Sequence, residues 1–192
     1  MNSINCKGKL LNLDEPVVMG IINATPDSFY EGHLKFDKAG ILLLAGKMIS
    51  DGAAILDIGG QSTKPGSENI SVQEEMDRVL PVIEQIHTTY PDIILSVDTY
   101  NSAVASVAVL AGVCIVNDIS GGKLDGGMLA TVAGLQVPYV CMHMQGIPST
   151  MQKHPVYKNV VEEVTEEKVN PADKAWLIVK YINNQSGQNV KV

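Results

Sequence analysis

Several things are missing from this 192-residue sequence, and each absence removes a class of protein. No apolar run approaches the ~20 residues a helix needs to cross a bilayer, and the start Met1-Asn2-Ser3-Ile4-Asn5-Cys6-Lys7-Gly8 has no apolar export core. There is no excess of basic charge. The formal net charge is −7 and the pI about 5.0, which argues against nucleic acid as a partner, because its phosphates demand a basic face. An anionic small molecule stays open, since one loop can bind it. No C-x-x-C occurs: Cys6, Cys114 and Cys141 are scattered, the latter two inside apolar runs where buried reduced thiols belong. Neither G-x-G-x-x-G after the first apolar run nor G-x-x-x-x-G-K-[ST] is present, so the common nucleotide loops lose their support. The expectation is a soluble, cytoplasmic protein with no membrane contact. At 45% hydrophobic and 18% charged residues, this length suits one domain with a sizeable core.

What is present alternates between strand and helix. Apolar, β-branched runs lie at Val17–Asn23, Ala54–Gly59, Ile93–Thr99, Cys114–Ile119 and Pro138–Met144, each continuous rather than alternating. Such runs mark strands buried on both faces, as in a parallel sheet covered by crossover helices. Between them helical stretches are expected over Phe36–Ser50, Ser102–Ala111 and Met128–Leu135. A further helix starts at Ser71, where Ser71-Val72-Gln73-Glu74 forms a capping box and Val79, Leu80, Ile83 and Ile86 recur at helical period. Repeated βα units build either a doubly wound open sheet or a (β/α)8 barrel. The strand ends carry Asn23, Asp57, Asp98, Asn117 with Asp118, and His143. A barrel gathers all its strand ends around one mouth, whereas a doubly wound sheet uses mainly its switch point, so polar residues at every end favour the barrel.

The first run says most. Met19-Gly20-Ile21-Ile22-Asn23-Ala24-Thr25-Pro26-Asp27-Ser28-Phe29 passes abruptly from apolar side chains to small polar ones, as a strand does when it delivers a binding loop to the rim. This segment resembles the first signature of the dihydropteroate synthase family. Asp57-Ile58-Gly59-Gly60-Gln61-Ser62-Thr63-Lys64-Pro65-Gly66 resembles the second, commonly written with Glu at position 61 and Arg at position 64. Ser96-Val97-Asp98-Thr99, Val116-Asn117-Asp118-Ile119-Ser120-Gly121-Gly122, and Met142-His143-Met144-Gln145-Gly146 with Pro148 and Thr150-Met151-Gln152 follow in family order. The resemblance covers residues 1–166, roughly the N-terminal two thirds of the family's barrel.

The resemblance implies a transferase of folate biosynthesis. It would condense 6-hydroxymethyl-7,8-dihydropterin diphosphate with 4-aminobenzoate, giving 7,8-dihydropteroate and pyrophosphate with the help of Mg²⁺. Asp98 and Asn117 match positions that hydrogen-bond the pterin ring, and a carboxylate beside a carboxamide suits the donors and acceptors of an amino-pyrimidine edge. With Thr63, which matches a diphosphate contact, they form the expected catalytic set. Asn23 matches the metal and diphosphate ligand, and its amide oxygen is a hard donor suited to Mg²⁺. Lys64, beside Pro65 in the Thr63 loop, keeps the charge of the family's arginine but loses its bidentate fork. Thr25, Asp27, Ser28 and Phe29 match a first loop that closes over the aminobenzoate. Asp57 and Met142 join the substrate-binding set, Met142 as a soft wall for a flat heterocycle. Asp118 points away from Asn117 along the strand and reads as structural. His143, among apolar strand residues, reads as a hydrogen-bonded core histidine and not as a general base.

After Glu163 the resemblance stops. No counterpart follows of the family's later Asp-Pro-Gly, Ser-Arg-Lys or terminal Arg-x-His motifs. The expected organisation is a C-terminally incomplete (β/α)8 barrel of about five βα units over residues 1–166. A divergent tail would then occupy 167–192, in which Trp176-Leu177-Ile178-Val179 reads as one more strand or a short helix. Two other functions stay in view: an inactive pterin-binding fragment, and a pterin domain of methyltransferase type. Open barrel edges lead us to expect self-association or a homodimer.

Overall fold

A computed structural model describes residues 3–25, 38–61, 69–146, 150, 155–166 and 177–180. Eight strands and five helices follow one another as β1 (Ser3–Cys6), β2 (Lys9–Asn12), β3 (Val18–Asn23), α1 (Lys38–Ser50), β4 (Ala53–Gly59), α2 (Val72–Thr89), β5 (Ile94–Asp98), α3 (Ser102–Leu110), β6 (Ile115–Asp118), α4 (Met128–Leu135), β7 (Tyr139–Met142), α5 (Val160–Glu166) and β8 (Leu177–Lys180). Strands β3 to β8 form one parallel sheet in strict sequence order, while β1 and β2 pair antiparallel as a separate hairpin. Sequential order with a helix after most strands is the progression of a (β/α)8 barrel, and it excludes the doubly wound alternative, whose strand order reverses. All five strands expected from the continuous apolar runs are present. The apolar run near Trp176 supplies a sixth, β8, paired with β7.

The two faces of the sheet bury different cores. Ile22, Leu56, Ile58, Leu95, Val97, Val116, Tyr139 and Cys141 pack outward against Val79, Ile83 and Ile86 of α2, Val104 and Ala108 of α3, and Val132 of α4. The inward face carries Ile55, Ile94, Ile115 and Val140, and on these the hairpin lays Ile4, Cys6 and Leu11. The hairpin thus floors the barrel at the N-terminal ends of its strands. Its turn uses Lys7 and Gly8, both at positive φ (53° and 94°), which matches the twist of a tight hairpin. Lys9 Nζ donates to the carbonyls of Pro91 and Ile93, just before β5, and Lys7 Nζ donates to Val109 O at 2.9 Å. Fully burying Ile4 and Leu11 contributes about 1.5–3 kcal/mol each, more than the exposed polar contacts around them. With one end sealed, ligands have the C-terminal rim.

Helix α2 bears out the N-cap half of the capping box: Ser71 Oγ accepts from Glu74 N at 3.1 Å, while the Glu74 carboxylate pairs with Arg78. Its apolar stripe runs through Val79, Val82, Ile83 and Ile86, and one charged residue, Glu75, falls on the same stripe.

Candidate functional site

One rung of the sheet assembles most of the site. Asn23 pairs with Gly59, Gly59 with Asp98, and Asp98 with Asn117 across β3, β4, β5 and β6. In-register residues of parallel neighbours project to the same face, here the inward one that also carries Val140. Gly59 leaves a gap in this row. A Cβ there would lie 3.8 Å from Asp98 Oδ2 and 3.9 Å from Asn23 Oδ1, so the carboxylate and the amide oxygen both border a backbone with no side chain.

Asp57 is placed differently from the sequence expectation. It is not the end of its strand, because β4 continues two residues further to keep Gly59 paired with both neighbours. It therefore lies one layer below the rung, buried, and its Oδ2 accepts from Asn117 Nδ2 at 2.9 Å. That bond orients the amide: a carboxylate only accepts, so Asn117 turns an N–H toward Asp57. Ser96, in register with Asp57, is fully buried on the same layer.

Asp118 faces the helices, as strand alternation requires. It accepts from Ser120 N (2.7 Å), Gly122 N (2.9 Å) and the Tyr139 hydroxyl (2.6 Å), so it shapes the turn after β6. Burial, then the charge and hydrogen bond of Asp118, hold the Tyr139 phenol far above its ordinary range. Met142 follows Val140 by two residues on the inward face, buried and one layer above the rung. His143 Nε2 lies 3.0 Å from the Tyr157 hydroxyl, with the rings 5.6 Å apart, which matches the core reading. Thr25 is buried just past β3, where Ala24 N still donates to Gly59 O at 2.7 Å. Asp27, Ser28, Phe29, Thr63, Lys64 and Pro65 lie outside the described residues.

A second polar cluster backs the rung and was not read from sequence. Glu75, 1% exposed, accepts from Asn101 Nδ2 at 2.6 Å and is also hydrogen-bonded to Thr99. Burial raises its carboxyl pKa, and the Thr99 and Asn101 bonds offset part of that rise. Arg78 Nη1 donates to Gly60 O at 3.0 Å and pairs with Glu74. Gln61 donates to Asn69 Oδ1 at 2.9 Å and is hydrogen-bonded to Tyr100, whose phenol is raised chiefly by burial. The available signal was a carboxylate on the apolar stripe of α2.

Among the described residues no group of three His, Cys, Asp or Glu side chains could hold a metal by itself. Asn23 Oδ1 bordering the same gap as the Asp98 carboxylate is a sparse, hard-oxygen set, of the kind Mg²⁺ uses when waters and substrate phosphates complete its shell. No helix among the described residues is long and apolar enough to cross a membrane.

A rung of amide and carboxylate groups at a barrel rim is suited to a flat, polar heterocycle, and residues 19–176 match the family model described as pterin binding enzyme. The chain belongs to the pterin-binding enzyme family. The dihydropteroate synthase of Bacillus subtilis is 52% identical over 132 residues, 68% of this chain and 45% of that one. The crystal structure of Yersinia pestis dihydropteroate synthase with a sulfonamide drug complex superposes with a TM-score of 0.77 at 40% identity, covering 86% of this chain and 59% of the other. That of the Xanthomonas albilineans enzyme in complex with 7,8-dihydropteroate gives 0.69 at 38%, covering 86% and 56%. The chain spans from about a fifth to just over half the length of the curated relatives it matches. With identities this high, the barrel fold of those synthases is the fold of this sheet.

Proposed function

We propose that this chain carries the pterin half of a dihydropteroate synthase-type active site, condensing 6-hydroxymethyl-7,8-dihydropterin diphosphate with 4-aminobenzoate. The observation that carries the reading is the rung itself: Asn23, Asp98 and Asn117 on one face, with Asn117 oriented by Asp57. Asp98 accepts from the amino-pyrimidine edge, and Asn117 supplies the complementary donor and acceptor. Met142 and Val140 wall the ring from β7. Held this way, the pterin directs its methylene outward, where the C–O bond to diphosphate breaks and a C–N bond to the aromatic amine forms. The amine nitrogen releases its proton, and pyrophosphate leaves.

No covalent nucleophile is required, so positioning is the main contribution of the protein. The electron-poor ring gains from the Asp98 carboxylate beside it. Thr63 and Lys64, with Pro65, serve the diphosphate in this proposal, and Thr25, Asp27, Ser28 and Phe29 serve the aminobenzoate. Bound Mg²⁺ would neutralise departing phosphate charge, with Asn23 as its protein ligand. The reaction would run in the reducing cytoplasm, in keeping with three buried cysteines that form no disulfide.

The test is pyrophosphate release from the pterin diphosphate with and without 4-aminobenzoate, alongside calorimetric titration of the pterin. Release that depends on aminobenzoate supports a synthase. Pterin binding with methyl transfer in its place would assign the chain to the methyltransferase-type relatives.

A further inference from the structure

Helix α2 touches both turns that frame the rung. On one side its first turns press against the chain leaving β4: a Cβ on Gly60 would lie 2.8 Å from Val79 Cγ1 and 3.1 Å from Glu75 O, and Arg78 holds the Gly60 carbonyl. On the other side, the Glu75 carboxylate reaches the chain leaving β5 through Asn101 and Thr99. That second turn is already tied to the site. Thr99 N donates to Asn117 O at 2.9 Å, and Asn101 N donates to Thr99 Oγ1 at 3.1 Å. Thr99 is the immediate successor of Asp98, so any shift of the turn moves the Asp98 backbone directly.

We propose that Glu75 is a positioning residue of the pterin site: its buried carboxylate, bound to Asn101 and Thr99, fixes the turn after β5 and so holds Asp98 opposite Gly59. The inference deepens the pterin-binding reading and rests on it. A buried carboxylate is an expensive way to hold a helix against a sheet, since an apolar residue at position 75 would continue the stripe of Val79, Val82 and Ile86 at lower desolvation cost. What an apolar residue would not supply is directional acceptance from two separate donors on the β5–α3 turn. Asn101 is the N-cap of α3 but makes no side-chain capping bond; its amide is committed to Glu75 instead. A cap residue diverted in this way shows where the local geometry is specified.

The experiment compares Glu75→Ala, Glu75→Gln and Asn101→Ala in the 192-residue protein, by hydrogen exchange of backbone amides and by titration with 6-hydroxymethylpterin. Glutamine keeps an acceptor oxygen for Asn101; alanine at 75 removes both bonds to the turn, and alanine at 101 removes the Asn101 bond without changing the buried stripe. Expected is faster exchange of the Thr99 amide, about tenfold, in both alanine variants while β7 amides keep their protection, with a loss of pterin affinity of about tenfold. Glu75→Gln should stay within about threefold of the parent on both measures. Unchanged Thr99 exchange, or exchange rising evenly over the whole sheet, overturns the inference. A parent protein that binds no pterin overturns the functional reading, and the Thr99 exchange then decides the role of Glu75 by itself.

Discussion

Asn117 donates to Asp57 across 2.9 Å, joining β6 to β4 beneath the strand that carries Asp98. The bond spans two strands that are not neighbours, so it exists only because the sheet curves and its inward side chains converge. It also settles which way an amide that presents both polarities will face.

Replacing Asp57 with alanine should therefore act on Asn117. The half-buried amide loses its charged acceptor and can rotate, and a lost hydrogen bond to a charged group costs about 1.5–3 kcal/mol. We expect pterin affinity to fall roughly ten- to a hundredfold by calorimetry. An unchanged affinity would mean that Asn117 is held by other contacts.

Asp98→Asn should weaken pterin binding far more than His143→Gln. Asp98 lies on the rung, whereas the His143 ring is turned to Tyr157. Equal losses in the two variants would mean the pocket has been assigned to the wrong layer.

The Glu75 carboxyl offers a pH test. Its pKa is raised above the ordinary 4.5, chiefly by burial, so ionisation disfavours the folded state. Its contribution to stability is fully present below about pH 4.5 and is lost as pH rises through the folded-state value. Between pH 4 and 7 the melting temperature of Glu75→Gln should accordingly improve relative to the parent, other carboxylates cancelling in the comparison. A gap independent of pH would show that the carboxyl titrates alike in both states.

Thiol chemistry should be silent in the native protein. Cys6, Cys114 and Cys141 are all buried, and burial first, then Cys114, push the Cys6 thiol up to about 11. At pH 8 its reactive thiolate is only about one part in a thousand. An aromatic disulfide reagent should label no cysteine until denaturant is added; rapid labelling of Cys6 would show that the hairpin detaches from the barrel floor.

The 192-residue chain should bind pterin with little turnover and should self-associate. The family's later lysine and arginine–histidine pair have no counterpart among these residues, which leaves Lys64 as a thin substitute at the anionic end. Strand β3 pairs only with β4 among the described residues, and Val18 and Ile21 on it are more than half exposed. Light scattering showing a monomer, together with turnover equal to that of a longer relative, would refute both expectations.

Most of the sheet could be read from sequence because strands buried on both faces are continuous apolar runs, and α2 because its apolar residues recur at helical period; α1, α3 and α4 are legible as the stretches between strands. The hairpin escaped notice. Its strands are four residues each, one face of β1 is exposed, and its turn is Lys7-Gly8 in place of the more telling Asn-Gly. Helix α5, seven residues with no strong stripe, escaped for a similar reason. In the site, Asn23, Asp98 and Asn117 were legible as polar ends of apolar runs. The depth of Asp57 was not, since it depends on how far β4 stays paired. Glu75 stands beside Glu74 in an acidic first turn, and only the packing of α2 on two separate turns shows that it is inside.

The strict sequential order of β3 to β8 bears on how the molecule is made. Each strand from β4 onward finds the edge it pairs with already synthesised, so a chain emerging from the ribosome can add units one at a time without waiting for a distant segment. The hairpin is the exception. Made before the strands it covers, it docks against residues of β4 to β7, so the floor closes only after the walls are up.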